Sequence, residues 1–240
     1  MMLRLAVISA LAVAAWRAGS PPTVLAQSHF AAEGTHSEGA QRMEIMLDRF
    51  DGGSWHAIDP ALVLEQADRV RFRFRSNFDG YLYVMNQSTS GKYEQLFPRE
   101  ETGQDNRIIA GKEYQIPATA SVFRIAGPAG HEVVYWLVTP ARLTDGPPRY
   151  STPPTGKSVA PPTLIPRCDE AILRSRGDCI DHSAGPKLVP RDVELPQNLA
   201  GAADQNHSDL LFLRQKDTSV ISSPAPLSGP VIYEFRLAHK

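Results

Sequence analysis

Between Arg69 and Arg75 the chain alternates without a break, setting Val70, Phe72 and Phe74 against Arg69, Arg71, Arg73 and Arg75. A period of two places successive side chains on opposite sides of an extended backbone, so this stretch predicts a strand with one buried apolar face and one guanidinium face. After the turn formers Ser76 to Gly80, Tyr81 to Gln87 resumes in aromatic and branched residues of high strand preference, which predicts a hairpin. Its register follows from chemistry. A five-residue loop sets Phe74 against Leu82, Phe72 against Val84, Arg75 against Tyr81 and Arg73 against Tyr83, whereas a two-residue Asp-Gly turn would leave Leu82 and Val84 among the arginines.

That register gives one flat cationic and aromatic face, with Arg71, Arg73 and Arg75 spaced at about 6.6 to 6.8 Å and Tyr81 and Tyr83 beside them. These five residues are the candidate ligand-binding set. Guanidinium and phenol together suit sugars or anionic polymers. Glu44, Asp48 or Glu94 on neighbouring strands would neutralise such a face and reduce it to an ordinary solvated surface.

The surrounding chain reads as more strand. Met43 to Phe50 alternates, Asp51-Gly52-Gly53 turns it, and Trp55 to Ile58 supplies a partner. Val122 to Ile125 and Val133 to Val138 flank Gly127-Pro128-Ala129-Gly130 as a second hairpin, whose return strand is apolar on both sides, as a central strand is. Asp209 to Arg214 and Val231 to Leu237 read as a closing pair of strands over residues 208–240 that returns to the main domain. With 20 prolines and few helical periods, the chain predicts an all-β, immunoglobulin-like β-sandwich over residues 43–143, followed by a proline-rich connector over 144–167. A short disulfide-closed helical loop and irregular segment fill 168–207.

Met1 to Arg4, the apolar run Leu5 to Trp16 and the small residues of Val24-Leu25-Ala26 have the order of a secretory signal peptide over 1–26, cut before Gln27. A polar, disordered leader over 27–42 follows. No later stretch is apolar for long enough to cross a membrane, so the mature product is expected to carry no transmembrane segment and to be periplasmic or extracellular. That compartment is oxidising, and Cys168 and Cys179 are the two cysteines present, so one intramolecular disulfide is the economical reading. A continuous helix would hold them about 16 Å apart, so it must break between them, with Gly177 as a left-handed cap.

A net charge of −1 excludes the basic footprint of a dedicated nucleic-acid binder. No Gly-x-Ser-x-Gly elbow, HExxH helix or paired metal-ligand spacing occurs, so no catalytic residue, metal or cofactor is predicted. His131-Glu132, just after a turn, reads as a solvated strand end. Arg176-Gly177-Asp178 reads as a capped helix end.

Three stretches, DRVRFRFRSNFDGYLYVMNQSTSGKYEQLFP, NRIIAGKEYQIP and FRIAGPAGHEVVYWLVT, occur in an order that resembles a bacterial exported family known as domain of unknown function 4384, over roughly 43–143. The resemblance implies an all-β domain of envelope and secreted proteins, with no established catalytic residues. The expected function is a non-catalytic, envelope-associated binding or interaction module, with an anionic glycan or an envelope protein as candidate partner. A hydrolase with its site in the polar 99–107 loop is the alternative, and a structural scaffold domain a third.

Overall fold

The computed structural model describes residues 40–143, 165–190 and 209–240. The expected signal peptide, most of the leader, the connector up to residue 164 and the end of the irregular segment lie outside the described residues. In chain order the strands are β1 (Gln41–Asp51), β2 (Ser54–Ile58), β3 (Arg69–Ser76), β4 (Gly80–Gln87), β5 (Tyr93–Phe97), β6 (Arg107–Ile108), β7 (Glu113–Ile116), β8 (Phe123–Arg124) and β9 (Gly130–Thr139). A helix, α1 (Glu170–Arg176), precedes β10 (Gly185–Leu188), β11 (Leu211–Gln215), β12 (Thr218–Ser223) and β13 (Val231–His239).

These strands form two antiparallel sheets packed as a sandwich. The first has the order β11-β12-β1-β3-β7, with β2 also on β1 and β8 also on β3. The second has the order β10-β13-β9-β4-β5, with β6 also on β4. Alternation decides what each contributes. Met43, Ile45 and Leu47 of β1 and Val70, Phe72 and Phe74 of β3 meet Leu82, Val84, Val134, Trp136, Tyr233 and Phe235 in one core. Phe72 sits edge-on to both Trp136 and Phe235, with ring centroids 5.4 Å apart in each pair. Edge-to-face geometry sets positive ring edges against negative faces and adds to the area buried.

β3 and β4 are not a hairpin. β3 pairs with β1, β7 and β8, whereas β4 pairs with β5, β6 and β9 in the other sheet. The apparent turn is a crossover, and three contacts make it one. Asn77 is tied back to β1, its amide donating to the Arg42 carbonyl at 3.0 Å while its side-chain oxygen accepts from the Arg42 amide at 2.7 Å. Phe78, between turn formers, drops into the shared core. Gly80 is needed for a close approach, because a Cβ there would lie 2.8 Å from the Thr139 carbonyl oxygen.

The other two expected pairings change in the same way. β8 joins β3 while β9 joins the second sheet, so Gly127 to Gly130 is another crossover. β11 pairs with β12, and β13 pairs with β9 and β10, so the two strands read as a closing pair belong to different sheets. The β1–β2 hairpin is present, with Phe50 opposite Trp55.

Cys168 and Cys179 are bonded, with Cα atoms 4.7 Å apart. Asp169 caps α1, accepting from the amides of Ala171 and Ile172, and Gly177 ends it at φ 78°. The bridge packs Cys179 with Val63, Ala184 and Ala238 against the outer side of the second sheet. Closing so short a loop contributes about 3 kcal/mol in the chain-entropy description.

Candidate functional site

The outward side of the first sheet carries the arginine ladder. By register, Arg42, Arg69, Arg71, Arg73, Arg75 and Arg124 share this face with Glu44, Asp48 and Glu113. The whole chain has a net charge of −1, so this excess of cations is segregated. The ladder divides into three zones with different chemistry.

Its centre is a buried ion cluster. Asp48, 1 % exposed, accepts from Arg71 Nε at 2.9 Å and from Arg73 Nε at 2.6 Å through one oxygen, and from Arg73 Nη2 at 2.9 Å through the other. The register explains it, since Asp48 lies directly opposite Arg71 and diagonally from Arg73. Arg71 spends a further N–H on Gln115 at 2.8 Å, and Arg73 lies 3.6 Å from Glu113. The Asp48 hydrogen bond raises the Arg73 pKa above its usual value, against a smaller lowering from burial. These two guanidiniums hold the sheet together.

One end of the ladder is aromatic. Arg69 lies over the Phe50 ring at 3.9 Å and Arg71 over the Trp55 ring at 4.4 Å, while the two rings meet edge-on at 5.2 Å. Phe50 and Trp55 therefore supply the aromatic part that Tyr81 and Tyr83 were expected to supply. Those tyrosines lie in the other sheet, opposite Thr139 and Leu137. Tyr83 is buried, and its hydroxyl accepts from the Leu143 amide at 3.1 Å. The five predicted residues thus separate into Arg71, Arg73 and Arg75 on one sheet and Tyr81 and Tyr83 on the other. Sequence offered one signal for these partners: Phe50 and Trp55 lie at equal distance from the Gly52-Gly53 pair, which sets them opposite each other.

The other end is open. Arg75 donates to Glu44 at 2.7 Å and Arg42 reaches the second oxygen of the same carboxylate at 3.0 Å. Both arginine side chains remain more than half exposed, at 53 % and 54 %, beside a concavity of about 540 Å³ whose walls include Asn77 and Gly111. The hydrogen bond to Glu44 raises the Arg75 pKa.

Elsewhere the geometry favours structure over chemistry. In the 99–107 loop, Arg99 binds Glu101 at 2.7 Å, Glu94 at 2.8 Å and the Gln95 carbonyl at 3.2 Å, and the Thr102 hydroxyl donates to the Leu96 carbonyl. Glu94 is thereby engaged away from the ladder. His131 and Glu132 are not a solvated strand end: their side chains are 7 % and 12 % exposed. His131 Nε2 lies 3.2 Å from Ser183 Oγ and 3.4 Å from Asp181 Oδ2. One nitrogen facing both groups does not make a relay, in which the hydroxyl and the carboxylate hold opposite nitrogens. Among the described residues no three His, Cys, Asp or Glu side chains are placed to hold a metal, and no helix is long and apolar enough to cross a membrane.

Fold and surface together define an antiparallel β-sandwich with one segregated cationic face. Residues 63–142, a stretch that runs from before β3 to just past the end of β9, match the model of the family described as domain of unknown function (DUF4384). No curated protein and no solved structure matches the chain.

Proposed function

We propose that this protein is a non-catalytic, exported, envelope-associated binding module, and that the outer face of its first sheet contacts an anionic glycan. The observation that carries this reading is the segregation of charge: six arginines to three carboxylates on one face of a chain with a net charge of −1. A purely structural sheet surface has no need of that excess, because self-repulsion works against the compact state. Trp55, beside Arg71, adds a ring on which a sugar can stack. The pinned 99–107 loop fits a binding module better than a hydrolase, since its polar groups are engaged with one another.

The test is a titration of the full chain with an oligouronate and with an uncharged oligosaccharide of equal length, at low and physiological salt. Screening over a Debye length of about 8 Å should weaken binding of the charged probe as salt rises, with little binding of the uncharged one. Equal binding of both probes, or of neither, overturns the proposal.

A further inference from the structure

We infer that the Arg42–Arg75 end of the ladder is the anion-selecting subsite of this face, taking one sugar-borne oxyanion, a carboxylate or a sulfate, with Glu44 as the internal counter-ion it competes with. This rests on the binding reading above and narrows it to named atoms. Arginine presents five N–H donors in a fixed fork. In the middle of the ladder those forks are occupied: Arg73 holds Asp48 through two nitrogens, and Arg71 is divided between Asp48 and Gln115. At the open end, Arg42 and Arg75 each show one nitrogen on Glu44. The two cations share Glu44, Glu113 opposite Arg75 on β7 adds a weaker attraction, and both arginines line the concavity.

The backbone there is fixed before any ligand arrives. Asn77 locks β1 to the crossover through three hydrogen bonds, two with Arg42 and one from its side-chain nitrogen to the Ala40 carbonyl at 3.0 Å. The Gly111 amide donates to the Ser76 carbonyl at 2.8 Å and closes the far wall. A pair of guanidiniums held in this way meets an oxyanion with little reorganisation, and guanidinium to carboxylate or sulfate is a charge-assisted, two-pronged contact. The volume, about 540 Å³, admits a monosaccharide-sized group. The lining includes the charged side chains of Arg42, Glu44 and Arg75 and the amide of Asn77, which suit a ligand with an anionic group. Glu44, 20 % exposed and opposite Arg75, neutralises one of the two cations, so it sets the affinity from within.

The experiment compares wild type, Arg42→Gln, Arg75→Gln, Glu44→Gln and Trp55→Ala as full chains, each checked by thermal melting. The probes are an oligouronate, a sulfated oligosaccharide and an uncharged oligosaccharide. Arg42→Gln and Arg75→Gln should each weaken the anionic probes about tenfold, as loss of a charge-assisted contact does. Glu44→Gln should tighten them several-fold. A stronger response to the sulfated probe than to the uronate, or the reverse, assigns the oxyanion. If both arginine variants bind as wild type does while Trp55→Ala weakens binding, the face is right and the subsite is wrong. If wild type binds no anionic probe, the binding reading itself fails and takes the subsite with it.

Discussion

The two outward faces of the sandwich differ in kind. On the first sheet the outward residues are guanidiniums and carboxylates at the ladder, and water reaches both of its ends. On the second sheet, Tyr83, Met85, Tyr135, Leu137 and Ile232 point away from the central core and are still buried, in a second apolar cluster with Tyr93 and Val189. Glu234 lies on this face at 1 % exposure, opposite Tyr135 on one side and Lys187 on the other. Strand sequence separates the two cases before any fold is known. β3 alternates and is half-buried, while β9 is apolar on both sides from Val133 to Val138 and is largely buried on both; β13 is buried on both sides although its outer one carries Glu234 and Arg236. Strict alternation in β3 therefore marks a sheet whose outer side is charged rather than apolar.

The largest expected effect breaks that comparison if it fails. Leu137→Ala removes an outward-facing side chain, yet should cost about 2–5 kcal/mol in denaturant unfolding, as a core truncation does. A loss near zero would mean that the second face is as solvated as the first. Asp48→Ala tests the reverse case on the charged face. It leaves Arg71 its hydrogen bond to Gln115 and Arg73 its contact with Glu113 at 3.6 Å, and because the two arginines keep 19 % and 27 % exposure the loss should fall at the low end for a buried ion cluster, about 3 kcal/mol. An unchanged unfolding midpoint would make the cluster incidental.

The smallest effect is a pH signature of the second face. Burial raises the Glu234 pKa, against a lowering by Arg236, whose Nε donates to it at 2.7 Å. The folded state then binds this proton more tightly than the unfolded state, so wild type loses stability as pH rises from the ordinary carboxylate range, about 4.3, through the folded value. Glu234→Gln has no such loss, so its melting temperature should gain on wild type as pH rises. A difference independent of pH would place Glu234 in contact with water.

What was legible in the sequence was which side of a strand is buried; what was not was which strand lies beside it. Alternation fixed the inward set Val70, Phe72 and Phe74, the Asp51-Gly52-Gly53 turn located the β1–β2 hairpin, and the spacing of Cys168 and Cys179 required the helix break at Gly177. Side-chain period carries no information on whether two consecutive strands stay in one sheet. Phe78 was the residue that distinguished crossover from hairpin, because a large apolar side chain among turn formers must be buried somewhere. β12 was missed for another reason. Its inward set contains Ser219 beside Ile221, and a buried serine interrupts the apolar pattern. β10, with Pro186 on an edge, has too little pattern to read. The candidate site suffered from the same gap: its arginines were found, and their aromatic partners were placed on the wrong sheet.

The pairing of early strands with late ones has a kinetic consequence. Gln41 lies opposite Ser223 in the first sheet, and Val138 opposite Val231 in the second. Among the described strands, β1–β2, β4–β5 and β11–β12 can zip locally and the other strand pairings close longer loops, which slows folding relative to a chain of local contacts. The apolar sides of β3 and β4 have no complete partner until β12 and β13 are available. A nascent chain of this topology stays open until its C-terminal strands are delivered, and a product truncated before residue 218 is an unfinished sandwich rather than a smaller one.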